Sequence, residues 1–241
     1  MQRTQYDFSI SEAGCLIYAG DKNLSGVPWS MMHAADWKAL ALQNALMMLS
    51  LYQDDGYTVR VVLGELTEDE KSEWTARAAS KLNLESGKMV VSGVCDEDLE
   101  EYMEDFGDGV NVTDCQLGCI ITLPAGEYRV DIYSYPPGDL SGGWMRIEDS
   151  DDFRLCFGEE AGIEQEAPLE YFQRTRPGEI APKWIADGWE DAWFLNFLIH
   201  LSPVTTEIPV PAFESDGCLE WEYRKPEICP VGIRLSGDFA T

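Results

Sequence analysis

In the run CIITLPAGEYRVDIYSYPPG, Tyr128, Val130 and Ile132 alternate with Arg129, Asp131 and Tyr133. That is the period of a strand with one buried and one wet face. Two β-rich stretches flank Pro124-Ala125-Gly126-Glu127, a connection short enough to predict an antiparallel hairpin over Ile120–Tyr135. YDFSI, GCLIYAGD, YTVRVVLGEL, KMVVSGV and DFRLCFG read as further strands. AWFLNFLIHLSP is too short to cross a membrane as a helix, and its aromatic and β-branched content predicts a buried strand.

Helical spacing is clearest over Met31–Tyr52. Trp37, Leu40, Ala41, Met47, Met48 and Leu51 would form its buried stripe, and Gln53-Asp54-Asp55-Gly56 its stop. A second helix starts after Thr67, whose spacing to Glu70 fits a capping box. A third is CDEDLEEYMEDFGD, Cys95–Asp108, where Leu99, Tyr102, Met103 and Phe106 recur at i, i+3, i+4 and i+7. Beyond Glu159, GEEAGIEQEAPLEYF leads into a helix and RTRPGEIAPKW reads as an irregular loop. Pro203, Pro209, Pro211, Pro226 and Pro230 then break the tail into short extended pieces.

These elements predict an α+β protein. Its core is a sandwich-like antiparallel β-sheet with a few packed helices and an irregular C-terminal extension. The change of composition near Glu159 divides the chain into a β-rich core domain at 1–158 and a C-terminal extension or second subdomain at 159–241.

Charge adds what the pattern does not. The 241 residues carry 44 acids against 17 bases, a formal net charge of −27. Such a field repels nucleic acid and anionic membrane and steers cationic proteins inward; solubility or adaptation to salt is the plainer reading. The N-terminal stretch has no apolar h-region, and no run of about 18 apolar residues occurs. Seven cysteines, an odd number without tight pairing, then predict reduced, buried thiols in a cytoplasmic protein.

Candidate chemistry is sparse. DKNLSG opens like a calcium loop, but its twelfth position is Met32, where a bidentate glutamate is needed. Asp105, Asp108, Asn111 and Asp114 lack the spacing of such a loop. Cys115 and Cys119 have only His33 and His200 as histidine company, so buried thiols outrank a zinc site. His200, at the end of an apolar run, is expected to have its ring satisfied in the core, and His33 to lie at a helix start. No P-loop, G-x-G-x-x-G or G-x-S-x-G occurs. Among 44 acids a chance carboxylate pair is expected, so none can be singled out as catalytic. The expectation is therefore no catalytic residue, no metal and no cofactor.

The acidic helix remains. It packs eight carboxylates into fourteen residues with no base among them. Its apolar stripe needs a core, which turns the acids outward. Glu97, Glu100, Glu101, Glu104 and Asp105 are the predicted contact residues for a basic protein partner, with a solvated face as the alternative. EDSDD, Glu148–Asp152, and the Glu159–Glu170 region add two further negative patches.

WTARAASKLNLESGKMVVSGV followed by ITLPAGEYRVDIYSY resembles a pattern of small acidic bacterial proteins, in which a strand ending in SG precedes a PxGxYRVxVY hairpin. The opening YDFSISEAGCLIYAGD is similar to the start of competence-protein-J-like inhibitors of a DNA-entry nuclease. The resemblance covers about half of the chain, up to about Gly158, and because its motifs are structural it carries over no functional residue. What the resemblance implies is an acidic cytoplasmic binder that neutralises a basic nuclease or toxin, as an immunity protein does. A ligand-binding or housekeeping module is the competing class, and a carboxylate-based enzyme the third.

Overall fold

The computed structural model describes residues 2–11, 16–23, 33–51, 56–93, 118–138, 145–146, 155–156, 166–188, 190–204, 208 and 210–235. Within them, alternation builds two facing sheets. The larger has six strands in the spatial order β1 (Thr4–Ser11), β4 (Gly56–Leu63), β11 (Phe197–Pro203), β8 (Gly126–Ser134), β5 (Ala76–Leu84) and β12 (Glu222–Tyr223). The smaller orders β3 (Leu46–Ser50), β2 (Leu16–Asp21), β6 (Lys88–Ser92) and β7 (Gly118–Thr122). A separate two-stranded ribbon joins β9 (Met145–Arg146) to β10 (Leu155–Cys156). The β4–β11 pair is parallel and the other pairings are antiparallel. Among the described residues, four short helices complete the α+β architecture: α1 (Ala34–Leu42), α2 (Glu68–Ser72), α3 (Pro168–Thr175) and α4 (Lys183–Ala186). None of them is long and apolar enough to cross a membrane.

The core lies between the sheets. Tyr57, Val59, Val61, Tyr128, Val130, Ile132, Phe197, Ile199 and Leu201 face it from the six-stranded side. Ala19, Met47, Leu49, Met89, Val91, Cys119 and Ile121 meet them from the other. Full burial of one such large side chain stabilises by about 1.5–3 kcal/mol. AWFLNFLIHLSP is the buried strand its composition predicts, and it runs between β4 and β8. The chain beyond residue 159 thus supplies an interior strand of the main sheet.

Three sequence expectations are corrected. The helix read over Met31–Tyr52 ends at Leu42. Asn44 adopts φ 59°, Ala45 N–H bonds Leu40 O and Asn44 N–H bonds Ala41 O, the double bond of a Schellman cap. Leu46–Ser50 is then a strand. Its Leu46, Met47, Met48 and Leu49 are consecutively buried because both faces of the strand are covered.

Second, the helix after Thr67 stops at Ser72, and Ala76–Leu84 is a perfectly alternating strand. Its inward residues include Ala76, Ala78 and Ser80, too small to mark a hydrophobic face.

Third, β7 and β8 do not pair with each other: β7 lies on β6 and β8 on β5. The β5–β6 and β7–β8 arms form one long ribbon folded over a corner, each arm passing from one sheet to the other. Gly87 sits at the bend with φ +66°, and a Cβ there would meet Leu123 O at 2.9 Å. Leu123 N–H donates to Gly87 O across the same corner.

Candidate functional site

The outward face of the six-stranded sheet carries the charged groups. Asp7 and Arg60 are register partners on β1 and β4, and both alternate away from the core. Arg60 grips Asp7 with Nε at 2.7 Å and Nη2 at 2.8 Å, and reaches Glu70 with Nη1 at 3.1 Å. Glu70 is the N3 residue of α2 and fully buried. It takes both Nη atoms of Arg3, at 2.7 and 2.8 Å, and the Thr67 N–H at 2.8 Å. The predicted capping box is present, with Glu70 N–H returned to Thr67 Oγ1. Burial pushes the Glu70 carboxyl up, but the bonds from Arg3, Thr67 and Arg60 outweigh it and hold the group below its usual range.

Beside this network opens a pocket of about 650 Å³. Its polar side presents Arg129, Asp131 and Tyr133 of β8 with His200 and Ser202 of β11; Leu66, Val204 and Ile208 supply apolar wall. Asp131 is buried and held bidentately by Arg129, at 2.7 Å to Nε and 2.9 Å to Nη2. His200 stands opposite Asp131 in register, yet its Nε2 lies 2.7 Å from Gly64 O and so donates there. With both Asp131 oxygens on Arg129 and the His200 proton on a backbone carbonyl, the two are not wired as an acid–base relay. Burial and the neighbouring Asp131 push the Tyr133 phenol up, which keeps it a neutral donor. The pocket can therefore bind polar groups against an apolar wall. Among the described residues, no group of three or more His, Cys, Asp or Glu side chains could hold a metal ion.

The same pairing recurs around the fold. Arginines at 77, 174, 176 and 234 bond Glu222, Glu166, Glu73 and Glu190. Arg224 lies 3.5 Å over the Trp74 ring and donates to the carbonyls of Trp74 and Ser72. Burial pushes the Glu73 carboxyl up, opposed by the Val231 N–H, Arg176 and the Gly232 N–H. Glu166 is clasped by Arg174 and Lys225, and the Arg174 hydrogen bond leads in lowering its pKa from 4.5 to about 2. A depressed folded pKa gives stability that is present above 4.5 and lost as pH falls through about 2. Urea midpoints recorded across that window are expected to fall less steeply for Glu166→Gln than for the native chain. Parallel curves would show that the clasp adds nothing.

Several sequence candidates are placed by these contacts. Asp21, the first residue of the calcium-like DKNLSG, is buried and accepts from Asn23 N, Ser86 N and Ser86 Oγ, so its carboxylate anchors a turn. His200 is satisfied, as expected, but on the outward face of the sheet and not in the core. His33 is exposed at the N-cap of α1, where its N–H donates to Asp36. Trp184 is core, with its indole N–H on Val231 O, whereas Trp193 is half-exposed. Cys119, Cys218 and Cys229 are buried thiols, and burial leads in pushing Cys229 up to about 12. Glu97, Glu100, Glu101, Glu104 and Asp105, with the whole Cys95–Asp108 run, lie outside the described residues. So do Asp105, Asp108, Asn111 and Asp114 as an oxygen cluster, Glu148–Asp152, Cys115 and Trp189.

No family model and no curated protein matches the chain. Two solved structures are similar to it. One is described as crocagin biosynthetic gene J, at 15% identity and a TM-score of 0.46, covering 85% of this chain and 99% of that one. The other is ComJ from Bacillus subtilis, an inhibitor of the DNA-degrading activity of NucA, a weak similarity at 10% identity. Its TM-score is 0.36, with 56% of this chain and 86% of ComJ covered.

Alternation alone places Arg129, Asp131 and Tyr133 on one face, but their partner strand β11 lies far along the chain. The Arg3 and Arg60 contacts to Glu70 were out of reach, because they join positions 67 and 10 residues apart. The usable signal was Glu70 itself, an acid fixed at a helix N-terminus beside strands that alternate arginine with valine.

Proposed function

We propose that this chain is an acidic, non-enzymatic binding protein whose partner is a basic protein, of the nuclease or toxin class that an immunity protein neutralises. One observation carries the reading: among the described residues, seven arginines are engaged within the fold. Arginines at 3, 60, 77, 129, 174, 176 and 234 each hold a carboxylate of the same chain. These pairs cancel locally, and the excess of acids over bases in the whole chain leaves a net charge of −27 to act outward. Such a field raises the association rate of a cationic protein by roughly 10- to 1,000-fold and disfavours nucleic acid and anionic lipid. Reduced, buried thiols suit a cytoplasmic setting.

In this reading Glu97, Glu100, Glu101, Glu104 and Asp105 form part of the contact surface. The experiment captures partners from the native host on the immobilised chain at low salt and releases them at high salt. Association of a purified basic partner is then timed across ionic strength. Changing Glu97, Glu100, Glu101 and Glu104 to lysine is expected to slow association about tenfold at low salt and flatten its salt dependence. Unchanged association at low salt removes this segment from the interface.

The pocket beside Asp131 favours a second reading, a small-ligand module with an apolar wall and convergent polar groups. A fragment set whose hits raise Tm in the native chain, but not after His200→Ala, would support it.

A further inference from the structure

Ile180 has 95% of its surface exposed, the extreme among the large apolar side chains described. It is also held firmly. The chain leaves α3 at Arg176 and turns through Arg176-Pro177-Gly178-Glu179, closed by Glu179 N–H to Arg176 O at 3.2 Å. Pro177 presets φ at the second position of this turn, and Gly178 at φ +85° supplies the left-handed third, the pattern of a type II turn. A Cβ on Gly178 would meet nothing within 4 Å, so the turn stands out into solvent.

Both sides of the turn are fastened. Arg176 donates from Nε to Cys229 O at 2.8 Å and from Nη2 to Glu73 at 3.1 Å. Glu73 in turn receives the N–H groups of Val231 and Gly232. Past Ile180, Ala181 packs on a small core of Tyr171, Phe172, Trp184, Ile185, Phe194 and Cys229. The Cys229 anchor brings up a second apolar side chain, Ile228, 56% exposed. Exposed acids adjoin both: Glu179 precedes Ile180 and Glu227 precedes Ile228. Arg176 is engaged by Glu73 and Glu179, and a second cation, exposed Lys183, stands three residues beyond Ile180.

A single exposed isoleucine is ordinary on a protein surface. One presented on a Pro-Gly turn, tied to a buried carboxylate and preceded by an exposed acid, is prepaid in ordering entropy for contact. From this geometry we infer that Ile180 is the apolar anchor of the interface, entering a hydrophobic socket on a basic protein whose lysines and arginines face Glu179 and Glu227. The inference rests on the basic-partner reading and assigns that interface a centre. Charge brings the partner in, and the anchor holds it by slowing dissociation.

The test begins with p-benzoylphenylalanine at position 180 and, as a control on the opposite sheet, at exposed position 88. Each is irradiated in native-host lysate at low salt. The basic protein joined at 180 is purified and its binding measured against the native chain and Ile180→Ala. Because the side chain is exposed, Tm is expected to be unchanged. Kd is expected to rise at least tenfold through faster dissociation, with the salt dependence of association intact. Equal affinity for Ile180→Ala, or adducts at 88 and none at 180, overturns the anchor and leaves the basic-partner reading standing. No adduct at either position, with no basic protein retained on the immobilised chain at low salt, overturns that reading itself.

Discussion

Val130→Asp is expected to leave too little stability for a cooperative fold. Val130 is fully buried at the middle of β8, in register with Leu201 on one side and Ser80 on the other. Its side chain points between the sheets, where its neighbours are the apolar residues of both. A carboxylate there has no cation, so it either stays charged without water or takes up a proton; each route costs several kcal/mol. With a total stability of about 5–15 kcal/mol for a domain, a loss of roughly 4 kcal/mol or more is severe. Val130→Ala, which only trims the side chain, is expected to lose about 2 kcal/mol and stay folded. Urea unfolding followed by tryptophan fluorescence separates the three proteins. A Val130→Asp midpoint near that of the native chain would mean that this face of β8 is wet.

The second large effect is at Glu70. Removing its side chain leaves Arg3 without its carboxylate and Arg60 with Asp7 alone, and it deletes half of the capping box that starts α2. Breaking a buried ion pair from one side costs about 3–5 kcal/mol, most of it for the charge left behind. Glu70→Ala is expected near that range. Glu70→Gln, which can still cap and accept, is expected to lose less. The group also sets a pH dependence. Its folded pKa is depressed, so its stabilisation is present above the usual carboxylate value and is lost as pH falls through the folded one. Glu70→Ala within 1 kcal/mol of the native chain at neutral pH would show the network to be water-screened.

How far the fold could be read from sequence depended on side-chain size. β1, β4, β8 and β11 announced themselves because Phe, Val, Ile and Leu fill their inward positions. β5 hid because Ala76, Ala78 and Ser80 look like helix or surface; what calls for small residues there is the opposite sheet, which no local window contains. In sequence β3 looks like a continuation of the helix because Met47 and Met48 prolong the apolar run from α1. The stop was written in Asn44, a residue that tolerates the left-handed conformation a Schellman cap requires. The ribbon over β7 and β8 looks like a hairpin in sequence because a short Pro-Ala-Gly connection suits either a tight turn or a corner between sheets. At the pocket, one strand's worth of chemistry was visible. His200 reaches Asp131 only through the pairing of β11 with β8, a contact 69 residues apart in the chain.

The place of β11 also sets an order of events during synthesis. β4 and β8 emerge early but do not touch each other; the strand that joins them, parallel to one and antiparallel to the other, is translated after both. At roughly 5–20 residues per second, the growing chain carries two unpaired strand edges for on the order of ten seconds before residues 197–203 arrive. Those edges are templates for any other extended segment nearby. A ribosome stalled just short of Phe197 would therefore hold two half-sheets with an open seam between them.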